Sequence, residues 1–178
     1  MTAAPLPGRV LAALQDHGHT IAVAESLTGG LVAAALTDVP GASATVRGGV
    51  VAYVDEVKAG VLGIPGRVLE EDGAVSRACA VAMAQGVRDL LGADWGLATT
   101  GVAGPGPSGG KAAGSVHIAV AGEQRSAHRA LTLRGTRTQV RADAVTAVLE
   151  LLLEVLVPHL SGGRGTVEDH SRQPLPGS

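Results

Sequence analysis

The run Thr20-Ile21-Ala22-Val23-Ala24-Glu25-Ser26-Leu27-Thr28-Gly29-Gly30-Leu31-Val32-Ala33-Ala34-Ala35-Leu36, TIAVAESLTGGLVAAAL, decides the fold. Its first five residues are short, apolar and followed by polar ones, which predicts a buried strand over 20–24. From Leu31 the composition turns helical through LVAAALTDV, and Pro40-Gly41 closes that segment. Between the two lies a polar island, AESLTGG (24–30), with Gly29 and Gly30 at the helix start. A buried strand that turns directly into a helix is the building unit of an α/β fold.

The flanking sequence continues the alternation. Upstream, Val10, Leu11 and Leu14 lie at helical spacing over 6–18, with Gly18 as C-cap. Downstream, 46–54 (VRGGVVAYV) reads as a strand, Asp55 as a helix cap for EVKAGVL, and Pro65 as the first turn of a short helix. A longer helix follows Ser76, with Ala80, Met83, Ala84, Val87, Leu90 and Leu91 on one stripe and Gly92 at its end. Strands are predicted at 95–100 and 115–120, the latter joined through AGEQ to RSAHRALTL as a hairpin. The last helix, 136–157, buries Val140, Ala144, Ala147, Val148, Leu151, Leu152 and Val155, and Pro158 stops it. These elements predict a three-layer α/β/α sandwich with a mixed, mostly parallel sheet and one antiparallel hairpin. Residues 1–160 form one domain in this reading, and 161–178, with few apolar residues, a disordered tail.

Composition narrows the function. The chain has 178 residues, enough for one domain with a real core, and no apolar run near the ~18 residues of a membrane span. The opening MTAAPLPGRV has no secretory pattern and Cys79 is the only cysteine, so a cytoplasmic protein without a disulfide framework is expected. A net charge of −2 gives no basic footprint for nucleic acid, and with Trp95 and Tyr53 as the only aromatics besides histidine there is no base-stacking platform.

Four segments can carry chemistry. At AESLTGG, helix-start N–H groups beside Ser26 suit an oxyanion, which would make Ser26 a nucleophile; equally, Ser26 or Thr28 caps the helix. A serine nucleophile needs a base. No G-x-S-x-G elbow or histidine partner motif is present, whereas VAYVDEVKAG places Tyr53 and Lys58 across a strand-to-helix boundary. A cation in that first helical turn meets the positive end of the helix dipole, which suits a base; the plain alternative is an exposed lysine and a packed tyrosine. The third segment, Thr99 to Lys111, is glycine-rich and allows close approach to a phosphate or sugar, or is simply a connection. It is not a Walker A loop, because Lys111 lacks a following Ser or Thr. The fourth is Arg134, Arg137 and Arg141 at the entry of the last helix, suited to bidentate phosphate binding or to a solvated helix start. His17 and His19 are near neighbours, but no metal-ligand spacing occurs, and His117 reads as a packed or half-exposed strand residue.

Together these segments resemble the CinA C-terminal domain family, the nicotinamide-nucleotide amidases. The matching stretches are AESLTGG (24–30), GGVVAYVDEVKAGVLGI (48–64), GAVS (73–76), TTGVAGPGPSGG (99–110) with the following Gly114-Ser115-Val116, and RGTRTQVR (134–141). The resemblance implies an α/β sandwich, often a homodimer or higher homo-oligomer, that converts nicotinamide mononucleotide to nicotinate mononucleotide and ammonia in NAD recycling, without metal or organic cofactor. It implies Ser26 as nucleophile, Lys58 as base and Tyr53 as the tyrosine of the catalytic group. Thr28, Gly29, Gly30, Thr100, Gly101, Gly104 and Arg137 take substrate-binding positions. Many relatives have Asn where this chain has Asp55, and Asp where it has Thr136. A separate activity towards ADP-ribose, which belongs to an N-terminal domain of larger relatives, is not carried over. The rival expectation is a non-catalytic nucleotide-binding or regulatory protein on the same fold.

Overall fold

The structure, a computed structural model, describes residues 4–157, so Pro158 and the expected tail lie outside the described residues. In chain order the elements are α1 (Leu6–Asp16), β1 (Ile21–Glu25), α2 (Leu31–Thr37), β2 (Val46–Val51), α3 (Asp55–Leu62), α4 (Arg77–Leu91), β3 (Trp95–Gly101), β4 (Ser115–Ala121), β5 (Ser126–Thr132) and α5 (Arg137–Leu156). They build one five-stranded sheet in the order β2-β1-β3-β4-β5. β1 is parallel to both β2 and β3, β4 is antiparallel to β3, and β5 is antiparallel to β4. Four strands therefore share a direction and β4 alone opposes them, which makes the mixed, mostly parallel sheet that the alternation predicts.

Successive strand residues point to opposite faces, and the sheet sorts its core accordingly. Ile21, Val23, Leu97, Val116, Ile118 and Val120 pack on one face against α1, α2 and α5. Ala22, Ala24, Ala98, Ala119 and Ala121 pack on the other against α3 and α4. The second face is lined by alanines because α4 approaches very closely: a Cβ on Gly96 of β3 would lie 1.9 Å from the Ala84 carbonyl oxygen. No helix among the described residues is long and apolar enough to cross a membrane.

Several boundaries differ from the sequence reading. The strand expected over 46–54 ends at Val51; the Ala52 N–H still donates to the Glu25 carbonyl at 2.8 Å before the chain leaves the sheet. Asp55 does not cap α3 but opens it, after an N-cap Val54 without a side-chain bond. The short helix expected from Pro65 contains a π-helical turn, Val68–Asp72. On α4, Leu90 is 51% exposed rather than part of the buried stripe. Ser76 does cap α4, accepting from the Cys79 N–H, and α5 starts with a capping box formed by Thr136 and Gln139.

The topology fixes where a site can form. β1 leads through α2 to the edge strand β2, and β2 leads through α3 and α4 back across β1 to β3. The crossover that leaves β1 and the one that arrives at β3 run on opposite faces of the sheet, and such a switch point opens a crevice at the carboxyl ends of the two strands. AESLTGG lies at one lip of that crevice and Thr99-Thr100-Gly101 at the other.

Candidate active site

Ser26 immediately follows β1, and its N–H donates to the Thr99 carbonyl at 2.9 Å, which continues the β1 to β3 ladder by one step. Alternation puts Glu25 on the α2 face and Ser26 on the α3/α4 face. Glu25, 1% exposed, accepts from the N–H groups of Gly30 (3.0 Å), Val32 (3.0 Å) and Ala33 (2.8 Å). It thereby serves the start of α2, whose N-cap Gly30 has no side chain to do so. This changes the expected oxyanion donors. The N–H of Gly30 goes to Glu25 and that of Gly29 to the Ser26 carbonyl (3.2 Å), while those of Leu27 and Thr28 have no partner among the described residues.

Arg141 of α5 holds the Leu27–Thr28 and Thr28–Gly29 peptides in place. Its Nε donates to the Leu27 carbonyl at 2.9 Å and its Nη2 to the Thr28 carbonyl at 2.8 Å. Because a trans peptide is planar, fixing the Leu27 carbonyl also fixes the direction of the Thr28 N–H, opposite to it. Arg141, considered for phosphate in the sequence reading, is a brace for the turn. Thr28 is fully buried and shares a hydroxyl hydrogen bond of 2.6 Å with Thr99, so its side chain ties the turn to β3. Ser26 is 8% exposed, and its hydroxyl makes no hydrogen bond among the described residues.

Lys58 lies on the same face of the sheet. It stands one helical turn before Leu62, which packs with Ala22, Ala24 and Ala52 in the α3/α4 layer, and α3 begins at the edge where β1 ends. Only 2% of Lys58 is exposed, and Nζ donates to Asp55 Oδ1 at 3.0 Å. The lysine is thus an ion pair with a half-exposed carboxylate. Cys79 of α4 shares this environment: burial pushes its thiol up to about 11, with the Lys58 charge opposing and Asp55 adding to the rise.

Tyr53 does not join Lys58. It is 57% exposed, and its hydroxyl accepts from Arg137 Nη2 at 2.9 Å, while Arg137 Nη1 donates to the Gly104 carbonyl at 3.0 Å. Arg137 therefore links three predicted positions, Tyr53, Gly104 and itself, at the rim of a groove of about 330 Å³ lined also by Pro105, Gly114, Arg134 and Thr136. Thr100 is buried and donates to the Ala74 carbonyl at 2.6 Å. Gly101 is needed for close strand pairing, since a Cβ there would lie 2.6 Å from the Ser115 carbonyl oxygen. Beside Thr100 in register is His117, whose Nδ1 is 2.9 Å from His128 Nε2 with the rings stacked. Burial and the Lys111 charge lower the His117 pKa; burial, His117 and Arg77 bring that of His128 to about 4. Among the described residues no three His, Cys, Asp or Glu side chains gather as a metal site.

The sequence reading missed Glu25, whose three partners lie five to eight residues ahead, and gave Asp55 the wrong task. Only the unusual placement of an acid at the end of a buried strand signals the former.

Fold and crevice together define an α/β sandwich protein with a buried serine and a buried lysine at its switch point. The family model of the CinA C-terminal domain matches residues 3–156, and the chain belongs to that family. It is 52% identical over 151 residues to a CinA-like protein of Frankia casuarinae, covering 85% of this chain and 35% of that one. A CinA-like protein of Anaeromyxobacter dehalogenans is 48% identical over 150 residues, with 83% and 36% covered. The chain thus spans about a third of the length of these relatives. Among solved structures, a competence-damaged protein (CinA) superfamily protein from Klebsiella pneumoniae superposes with a TM-score of 0.83 at 36% identity, covering 86% of this chain and 96% of that one. The competence/damage inducible protein CihA from Agrobacterium tumefaciens gives 0.81 at 36% identity, with 87% and 99% covered.

Proposed function

We propose that this protein is an amidohydrolase that deamidates nicotinamide mononucleotide, with Ser26 as nucleophile and Lys58 as base. One observation carries the reading: a serine only 8% exposed whose hydroxyl keeps solvent access and has no hydrogen-bond partner among the described residues, beside the Leu27 and Thr28 N–H groups, likewise without a partner there, and on the same sheet face as a buried lysine. A capping serine would bond to its own helix. Here the cap is Glu25, which leaves Ser26 free for chemistry.

In this mechanism Lys58, in its amine form, takes the hydroxyl proton as Ser26 Oγ attacks the carboxamide carbon. The N–H groups of Leu27 and Thr28 receive the oxyanion, each such donor being worth ~10²–10³ in rate in known cases. Lys58 returns the proton to nitrogen, the C–N bond breaks and ammonia leaves. Water then attacks the ester carbon and gives its proton to Lys58. The C–O bond to Ser26 breaks, Oγ recovers the proton, and nicotinate mononucleotide is released. Arg137 and Gly104, at the groove beyond the crevice, take the 5′-phosphate end of the nucleotide, where a guanidinium suits a phosphate.

The test is ammonia release from nicotinamide mononucleotide. The unsubstituted protein should turn over and Ser26→Ala should not, while equilibrium binding of the nucleotide survives. Full turnover by the variant removes Ser26 as nucleophile. Binding without ammonia release by the unsubstituted protein points instead to a nucleotide-binding or regulatory protein.

A further inference from the structure

We propose that Asp55 is a positioning residue that sets the pH range of this site by holding the proton on Lys58. The inference rests on the amidase reading above and concerns how its base is controlled. Lys58 is almost completely buried, and its only hydrogen-bond partner among the described residues is Asp55 Oδ1, at 3.0 Å. The side chain of Asp55 is 54% exposed, so this carboxylate joins a buried ammonium to solvent. The pair lies within one turn of α3, Asp55 at its first residue and Lys58 three further on.

Each neighbour of Lys58 adds to the argument. The start of a helix carries partial positive charge, which favours Asp55 as an anion there and opposes a second cation. On α4, Cys79 offers no negative charge, because burial keeps its thiol protonated up to about 11. Among the described residues Asp55 is therefore the one anion paired with Lys58, and the amine form needed to take the Ser26 proton arises only when the ammonium proton leaves. The direct exit is along the existing hydrogen bond, from Nζ to Oδ1 and then to water; Lys58 becomes an amine, Asp55 is briefly protonated, and the carboxylate is restored when water carries the proton away.

The consequence is a rising limb of rate against pH that belongs to the pair and moves when the carboxylate is removed. An opposite charge held against a cation favours its charged form, so removing the carboxylate makes the amine easier to reach. In Asp55→Asn, which keeps size and one oxygen, the limb of kcat/KM for nicotinamide mononucleotide should move to lower pH. At a pH on that limb the variant would be faster than the parent. Asp55→Glu, which retains a carboxylate, should leave the limb nearer its original position. Superimposable profiles for parent and Asp55→Asn, or displacement to higher pH, would overturn the proposal.

A readout independent of activity is the nitrogen resonance of Lys58 Nζ, followed against pH in the full chain carrying Ser26→Ala, with and without Asp55→Asn. The Nζ step should come at lower pH once the carboxylate is gone, and coincident steps overturn the inference. In the unsubstituted protein the Asp55 carboxyl carbon should shift in the same step in which Nζ loses its proton, and a carboxyl signal blind to that step also counts against it. If the protein releases no ammonia from the nucleotide, the amidase reading falls, while these resonances still decide whether Asp55 holds the proton.

Discussion

Glu25 is the residue on which the turn depends. Its carboxylate is buried between the end of β1 and the start of α2, and both oxygens accept backbone N–H groups. Hydrogen bonds to a charged group contribute ~1.5–3 kcal/mol each, and a buried donor left without a partner costs about as much again. In Glu25→Gln the amide nitrogen faces an N–H instead of accepting from it. The expected result is a loss of at least about 3 kcal/mol of stability in chemical denaturation, together with earlier hydrogen exchange in α2. An unchanged midpoint would mean that α2 does not depend on this acceptor. Arg141 acts at the same scale from the other side, on the carbonyls of Leu27 and Thr28. Between them, Glu25 takes the donors of Gly30, Val32 and Ala33 while Arg141 orients the Leu27–Thr28 peptide, whose donor stays open.

Among the elements, the β4–β5 hairpin carries an uncommon feature, the stacked His117–His128 pair on the α4 face. Burial and the Lys111 charge lower the pKa of His117, and burial with the charges of His117 and Arg77 lowers that of His128 from 6.5 to about 4. With the folded value below the unfolded one, the unfolded chain binds the proton first as pH falls. The contribution of this group is therefore present above about 6.5 and is lost as pH falls towards 4. The melting temperature should drop across that window, and His128→Gln should flatten the slope; an equal slope in both proteins would assign the loss to carboxylates elsewhere. The hairpin itself is legible in the sequence, because Val116, Ile118 and Val120 alternate with period two. So are α1, α4, α5 and the strand-turn-helix at 20–36, each carried by local periodicity or a local cap. The early end of β2 is not, since it follows from where the chain leaves its pairing with β1. Nor is the exposure of Leu90, on the edge of a stripe whose width is set by how closely α4 meets β3. For the site, the positions of Ser26 and Lys58 are legible through their junctions, whereas the bonds of Glu25, Tyr53 and Arg141 join residues that only the tertiary fold brings together.

At the scale of the whole molecule, the crevice opens onto two faces of one sheet. Ser26 and Lys58 lie towards α3 and α4, and the groove with Arg137 is lined partly by Val140 and Ala103 of the opposite core. In the proposed reading, a nucleotide that reaches from one to the other passes over the carboxyl ends of β1 and β3, with its amide over Ser26 and its phosphate at the start of α5. Arg137 already binds Tyr53 and Gly104, so the guanidinium is held in place before a phosphate arrives. Binding energy made far from the reacting carbon, and equal in ground and transition states, appears in KM rather than in kcat. Arg137→Ala should therefore raise KM for nicotinamide mononucleotide about 10- to 100-fold with kcat little changed, the loss expected of a charge-assisted phosphate contact. Nicotinamide riboside, which has the same amide and no phosphate, should show the same kinetics with the variant as with the parent protein. The preference for nucleotide over riboside would then collapse towards unity. A variant that keeps this preference places the phosphate elsewhere in the crevice, and one that loses turnover on both substrates alike makes Arg137 part of the chemistry on the Ser26 face.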